Sequence, residues 1–152
     1  MKKVILAFLI LFTFANAQAA KVVFDLTTSD TTKFEKNMLK GLVIHINHYE
    51  SNLQELETTV IIHGGAYRFF VKDLASSTFK DDAKLAKVYS DFKKRIATIA
   101  STYDVEFLMC EAAMKRHKLE EKDIVEFVKF VPTSTIGLID KQNDGFAYLP
   151  VN

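Results

Sequence analysis

The one cysteine of the 152-residue chain, Cys110, stands at a change of pattern. Before it, Val105 to Met109 read as an apolar strand; after it, Glu111-Ala112-Ala113-Met114-Lys115-Arg116 reads as helical. A thiol at such a junction lies near unsatisfied helix N–H groups and the positive end of the helix dipole, which favour a nucleophilic thiolate. The competing reading is a buried cysteine packed as a small hydrophobe, and position alone leaves both open. Glu111 opposes the thiolate unless its carboxylate turns away from the sulfur.

His63-Gly64-Gly65 closes another apolar run, Val60-Ile61-Ile62. A histidine there could hydrogen-bond a thiolate, a persulfide or a ligand, and the glycines could let backbone N–H groups approach an anion. The alternative for His63 is a turn-capping side chain. His45 and His48 are three apart on a helical stretch, but no third ligand of suitable spacing accompanies them, so we expect no metal site. His117 follows Lys115 and Arg116, where a helix C-terminus favours cations. Tyr67, Phe69 and Phe70 read as core or as subunit contacts.

The elements that must position these residues alternate. Strands are expected near residues 21–26, 58–63, 105–109, 126–131 and 146–149. Phe34, Met38, Leu42, Ile46 and Tyr49 mark a helix over 31–49, and Leu85, Val88, Phe92, Ile96 and Ile99 mark a second. A short helix is expected from Tyr67 to Leu74, and one capped by Thr133 or Ser134 ends near Asp144-Gly145. Parallel strands need crossover connections, so the expected fold is α/β, three-layer α/β/α, with a mostly parallel sheet of about five strands. Ligands of such sheets gather at the carboxyl ends of the strands, which places Cys110 and His63 on one edge.

The N-terminus carries a separate signal. Lys2 and Lys3 precede an apolar stretch from Val4 to Phe14, and Ala15-Asn16-Ala17 offers a small-x-small cleavage site. Residues 1–17 are therefore expected to be a cleaved secretory signal, leaving a single domain over 18–152 in the periplasm. The stretch is too short to span a bilayer, and no later run approaches that length. After cleavage 18 basic side chains face 19 acidic ones, interleaved as in Lys80-Asp81-Asp82-Ala83-Lys84, which is a solvated face and not a nucleic-acid stripe. A lone cysteine cannot form an internal disulfide, so thiol-disulfide exchange would need a thiol from elsewhere.

The stretch Val105 to Arg116 resembles the cysteine-bearing strand and helix of DsrE/DsrF-like proteins, which include sulfur-relay subunits. Val60 to Gly64, with its His-Gly, and Val131-Pro132-Thr133-Ser134 followed by Gln142 to Tyr148 resemble the small exported branch of that family. The resemblance runs in order along nearly all of the mature chain, and Cys110 falls on the family's active cysteine. It implies a DsrEFH-like fold, trimers or hexamers, and a cysteine that carries sulfur as a persulfide without a cofactor. The expected partners are sulfur donor and acceptor proteins or small sulfane-sulfur compounds. The rival expectation is a non-enzymatic oligomeric binding or assembly module in which Cys110 is structural.

Overall fold

The computed structural model describes residues 19–152, so the expected secretory signal and its cleavage site lie outside the described residues. Five strands form one sheet: β1 (Ala20–Leu26), β2 (Leu56–Ile62), β3 (Glu106–Cys110), β4 (Val128–Val131) and β5 (Ala147–Val151). Their order is β4-β3-β2-β1-β5, and every pairing is parallel. Val60, Ile61 and Ile62 are fully buried, as a continuously apolar strand covered on both faces requires.

One face of the sheet is covered by two long helical stretches. The first opens with α1 (Thr31–Phe34), passes through a π-helical segment (Glu35–Gly41) and continues as α2 (Leu42–Ser51). Asp30 caps it by accepting from the Lys33 N–H at 2.8 Å. In the π segment the consecutive residues Met38 and Leu39 are both buried, which the extra residue in the turn accommodates. The second stretch is α3 (Ala83–Thr102), capped by Asp82, which buries Leu85, Phe92, Ile96 and Ile99. Phe34 stacks on Phe69 at 4.0 Å between ring centroids, and Phe92 lies 5.5 Å from Phe34. Tyr67, Phe69 and Phe70 are therefore core residues, at most 2% exposed, and cannot form an apolar rim for subunit contact.

The opposite face is covered by α5 (Ser134–Asn143) over Val23, Ile61, Leu108 and Phe146. Gly137 allows the close approach, since a Cβ there would meet Ile61 Cδ1 at 3.1 Å and Val131 Cγ2 at 3.4 Å. The chain steps from β1 to β4 in one direction and returns past β1 to β5. Right-handed crossovers then require the returning helix to lie on the other face, where α5 is found.

Three expected elements differ. The helix expected from Tyr67 to Leu74 is only a 3₁₀ turn, Ala66–Phe69, because the following segment is extended: Val71 bridges Ile124 in antiparallel sense and the Phe70 carbonyl accepts from the Val125 N–H at 3.0 Å. The same bonds occupy residues 124 and 125, so β4 starts at Val128 rather than near residue 126. The helix after Cys110 is also short, with α4 (Glu111–Met114) passing into a 3₁₀ turn, Lys115–His117.

The glycines after His63 prove to serve packing. Gly64 has φ +60, and the Gly65 N–H donates to the Thr27 carbonyl at 2.9 Å. A Cβ on Gly65 would lie 2.7 Å from Ser29 Cβ and 3.1 Å from the Ser29 nitrogen, so the loops after β1 and β2 touch through glycine. Gly65→Ala is expected to cost about 1–3 kcal/mol by overpacking. Urea unfolding should show this as a lowered midpoint at unchanged slope.

Candidate active site at the carboxyl edge of the sheet

Cys110 is the last residue of β3, paired with Val131 of β4, and the N-cap residue of α4. The chain leaves β3 toward the face that carries Ala113 and Met114, whereas it leaves β4 toward α5 on the other face. Connections that diverge in this way open a crevice outside the strand ends, and Cys110 lies in it. The two loops are tied where the Ala112 N–H donates to the Pro132 carbonyl at 3.2 Å.

Opposed effects act on the sulfur. Cys110 is only 5% exposed, and burial pushes its thiol up. The backbone N–H groups of Ser134 and Ala113 and the hydroxyls of Tyr67 and Ser134 outweigh that, and the thiol is held below its ordinary value. The Cys110 side chain makes no cap bond to α4, so these groups act on the sulfur as oriented neighbours. Ser134 is the first residue of α5, capped by Thr133, whose side chain accepts from the Ile136 N–H at 3.1 Å. The sulfur therefore faces the start of a ten-residue helix as well as the short helix that follows it in sequence. Glu111 is exposed, so its carboxylate is solvated.

Tyr67 joins the site to the core. Its hydroxyl donates to the Cys110 carbonyl at 2.5 Å, and burial, followed by the neighbouring Cys110, pushes it far above the usual phenol range. It stays a donor at any working pH. His117 packs on the Tyr67 ring at 4.7 Å. Burial, then the charges of Arg116 and Arg68, hold His117 below its ordinary value, opposed by a bond to the backbone of Gly64.

His63 follows Ile62, the register partner of Met109, so it leaves β2 at the level at which Cys110 ends β3. The two residues share the expected edge. The His63 ring, however, is bonded to Asp25 of β1 at 2.5 Å between Nε2 and Oδ1. Asp25 Oδ2 accepts from the Tyr148 hydroxyl at 2.7 Å. His45 and His48 lie elsewhere, along a groove between α2 and β5 that also includes Ile44 and Leu149. Among the described residues no cluster of three His, Cys, Asp or Glu side chains is placed to hold a metal.

Sequence reasoning missed Tyr67 and Asp25 as site residues and read Ser134 only as a possible cap. Tyr67 lies in an aromatic run that looks like core, and it is also core. Asp25 was the one detectable signal, an acid inside the apolar run Lys21 to Leu26.

An all-parallel α/β sheet with a cysteine in the crevice at its carboxyl edge defines the class of protein. Within that class, the chain belongs to the DsrE/DsrF-like family, whose profile matches residues 9–151. It is 31% identical over 157 aligned residues to an uncharacterized protein of Aquifex aeolicus (strain VF5). That alignment covers 99% of this chain but 64% of the relative, so the chain spans less than two thirds of the length of the curated protein it matches. The fold is similar to the solved structure of MTH1491, a protein of unknown function from Methanobacterium thermoautotrophicum, with TM-score 0.62 and 14% identity. That similarity covers 86% of this chain and 98% of the other.

Tyr67→Phe removes the hydroxyl that donates to the Cys110 carbonyl and helps hold the neighbouring thiol below its ordinary value. The thiol should become less acidic, and alkylation by iodoacetamide at neutral pH correspondingly slower, with a stability loss of about 1 kcal/mol. The sign with pH follows from linkage. Between the depressed folded value and the unfolded thiol value of about 8.5, the folded protein binds fewer protons than the unfolded chain, so stability rises with pH across that window. As pH falls through the folded value this contribution is lost, and Cys110→Ser should abolish it in urea titrations at stepped pH.

Proposed function

We propose that this is an exported sulfur-handling protein in which Cys110 accepts and donates sulfane sulfur as a persulfide. The observation that carries the reading is the place of the one cysteine of a DsrE/DsrF-like chain, at the carboxyl end of β3 and the N-cap of α4, in surroundings that hold its thiol below the ordinary value. The Cys110 thiolate attacks the outer sulfur of a donor persulfide; that S–S bond breaks, a new one forms at Cys110, and the donor leaves as a thiolate. An acceptor thiolate then repeats the exchange on the outer sulfur of Cys110. Each step is redox-neutral and needs no cofactor. Ser134, Ala113 and Tyr67 stabilise the anion on the sulfur, and His63 moves the proton of the incoming or leaving thiol.

The basic start, apolar stretch and Ala15-Asn16-Ala17 site support export to the periplasm with cleavage after Ala17. The functional unit in this reading is a homo-oligomer, a trimer or hexamer. One observation favours the rival, a binding or assembly module with a structural Cys110: the residue is 5% exposed, and sulfur transfer needs a donor to reach it.

Intact-mass spectrometry after incubation with glutathione persulfide separates the two. We expect the mass to rise by one sulfur atom, the added sulfur to be released by cyanide as thiocyanate, and Cys110→Ser to gain nothing. No mass gain, together with no alkylation of Cys110 unless denaturant is present, would leave the cysteine as packing. N-terminal sequencing of the periplasmic protein should begin at Gln18.

A further inference from the structure

Carboxylate, imidazole and thiol occupy the ends of three neighbouring strands in that order: Asp25 on β1, His63 after β2 and Cys110 on β3. Register places them together. Asp25 pairs with Ile61, Ile61 with Leu108 and Ile62 with Met109, so His63 and Cys110 follow the same register pair on adjacent strands, and Asp25 stands at the end of the next strand. Asp25 is 8% exposed, and a carboxylate buried to that degree is costly unless its oxygens are satisfied. Both are: Oδ1 by His63 Nε2 and Oδ2 by the Tyr148 hydroxyl.

We propose that Asp25 is the positioning residue of His63, fixing the tautomer with its proton on Nε2 and keeping Nδ1 as the proton acceptor at the Cys110 edge. The inference deepens the sulfur-transfer reading and rests on it for the use made of the proton. An ionised carboxylate can only accept, so the 2.5 Å bond makes Nε2–H the donor and leaves the lone pair on Nδ1. When a thiol at this edge ionises, its proton passes to Nδ1, and the positive charge that appears on the ring sits beside Asp25. The tautomer thus follows from a neighbouring strand and not from the thiol.

The same geometry determines what Asp25→Asn does. Tyr148 must keep donating to the amide oxygen, which turns the Asn NH₂ toward His63 and forces the ring proton onto Nδ1. The other charged or titratable groups around the edge, Tyr67, Arg116 and His117 beside Cys110, are unchanged in this variant.

Imidazole ¹⁵N chemical shifts and the rate of Cys110 alkylation by iodoacetamide at neutral pH test the inference on the full chain. The wild type should show the Nε2–H form of neutral His63, and Asp25→Asn should show the Nδ1–H form. Asp25→Asn and His63→Gln should each slow alkylation about a hundredfold, the low end of what a positioned base contributes. Their combination should be no slower than His63→Gln alone. A wild-type Nδ1–H ring would overturn the inference, as would an Asp25→Asn rate equal to wild type, or additive losses in the double variant. If Asp25→Asn fails to fold, the wild-type tautomer and the His63→Gln rate still decide. A wild type that alkylates with this dependence on His63 but never gains sulfur sinks the transfer reading and leaves the role of Asp25 intact.

Discussion

Most of the site depends on the contact of α5 with the sheet at Gly137. Because the chain reverses direction after β4, α5 must return on the face opposite α1–α2 and α3. Its first residue, Ser134, then lies at the carboxyl end of β3. The approach is close only because a glycine meets Ile61 and Val131. A larger residue at Gly137 would lift α5 from the sheet and withdraw the Ser134 N–H and hydroxyl from the sulfur.

Two opposed effects act on that sulfur. Burial disfavours a thiolate, and four donors from three different segments favour it; the donors prevail. Such a site is preorganised, since Tyr67 is locked in the core and Ser134 is fixed by a capped helix. It is also enclosed. Reactivity at Cys110 therefore depends as much on how a donor enters the crevice as on the acidity of the thiol.

The edge of the sheet thus carries two constellations with distinct supports. Around Cys110 the supports are helix N–H groups and hydroxyls; around His63 they are Asp25 and Tyr148, drawn from β1 and β5. The glycines between them serve packing. They let the β2 loop pack on Thr27 and Ser29, which keeps the ends of β1 and β2 together and so keeps His63 within reach of Asp25.

Strand and helix alternation was legible in the sequence because its signals are local: the β-branched runs at Val22-Val23 and Val60-Ile61-Ile62, the four- and three-residue spacing from Phe34 to Tyr49, and the cap at Thr133. The family pattern around Cys110 was legible for the same reason, being contiguous. The extended segment after Phe69 was not, since its form depends on bonds from Phe70 and Val71 to residues more than fifty positions away. Nor were the partners of the two site residues. Tyr67 reaches the Cys110 carbonyl across 43 positions, His63 reaches Asp25 across 38, and Tyr148 reaches Asp25 across 123. Side-chain type and local period determined which residues stand at strand ends; only the order of the strands decided which of those ends meet, because that order is set by packing across the whole sheet.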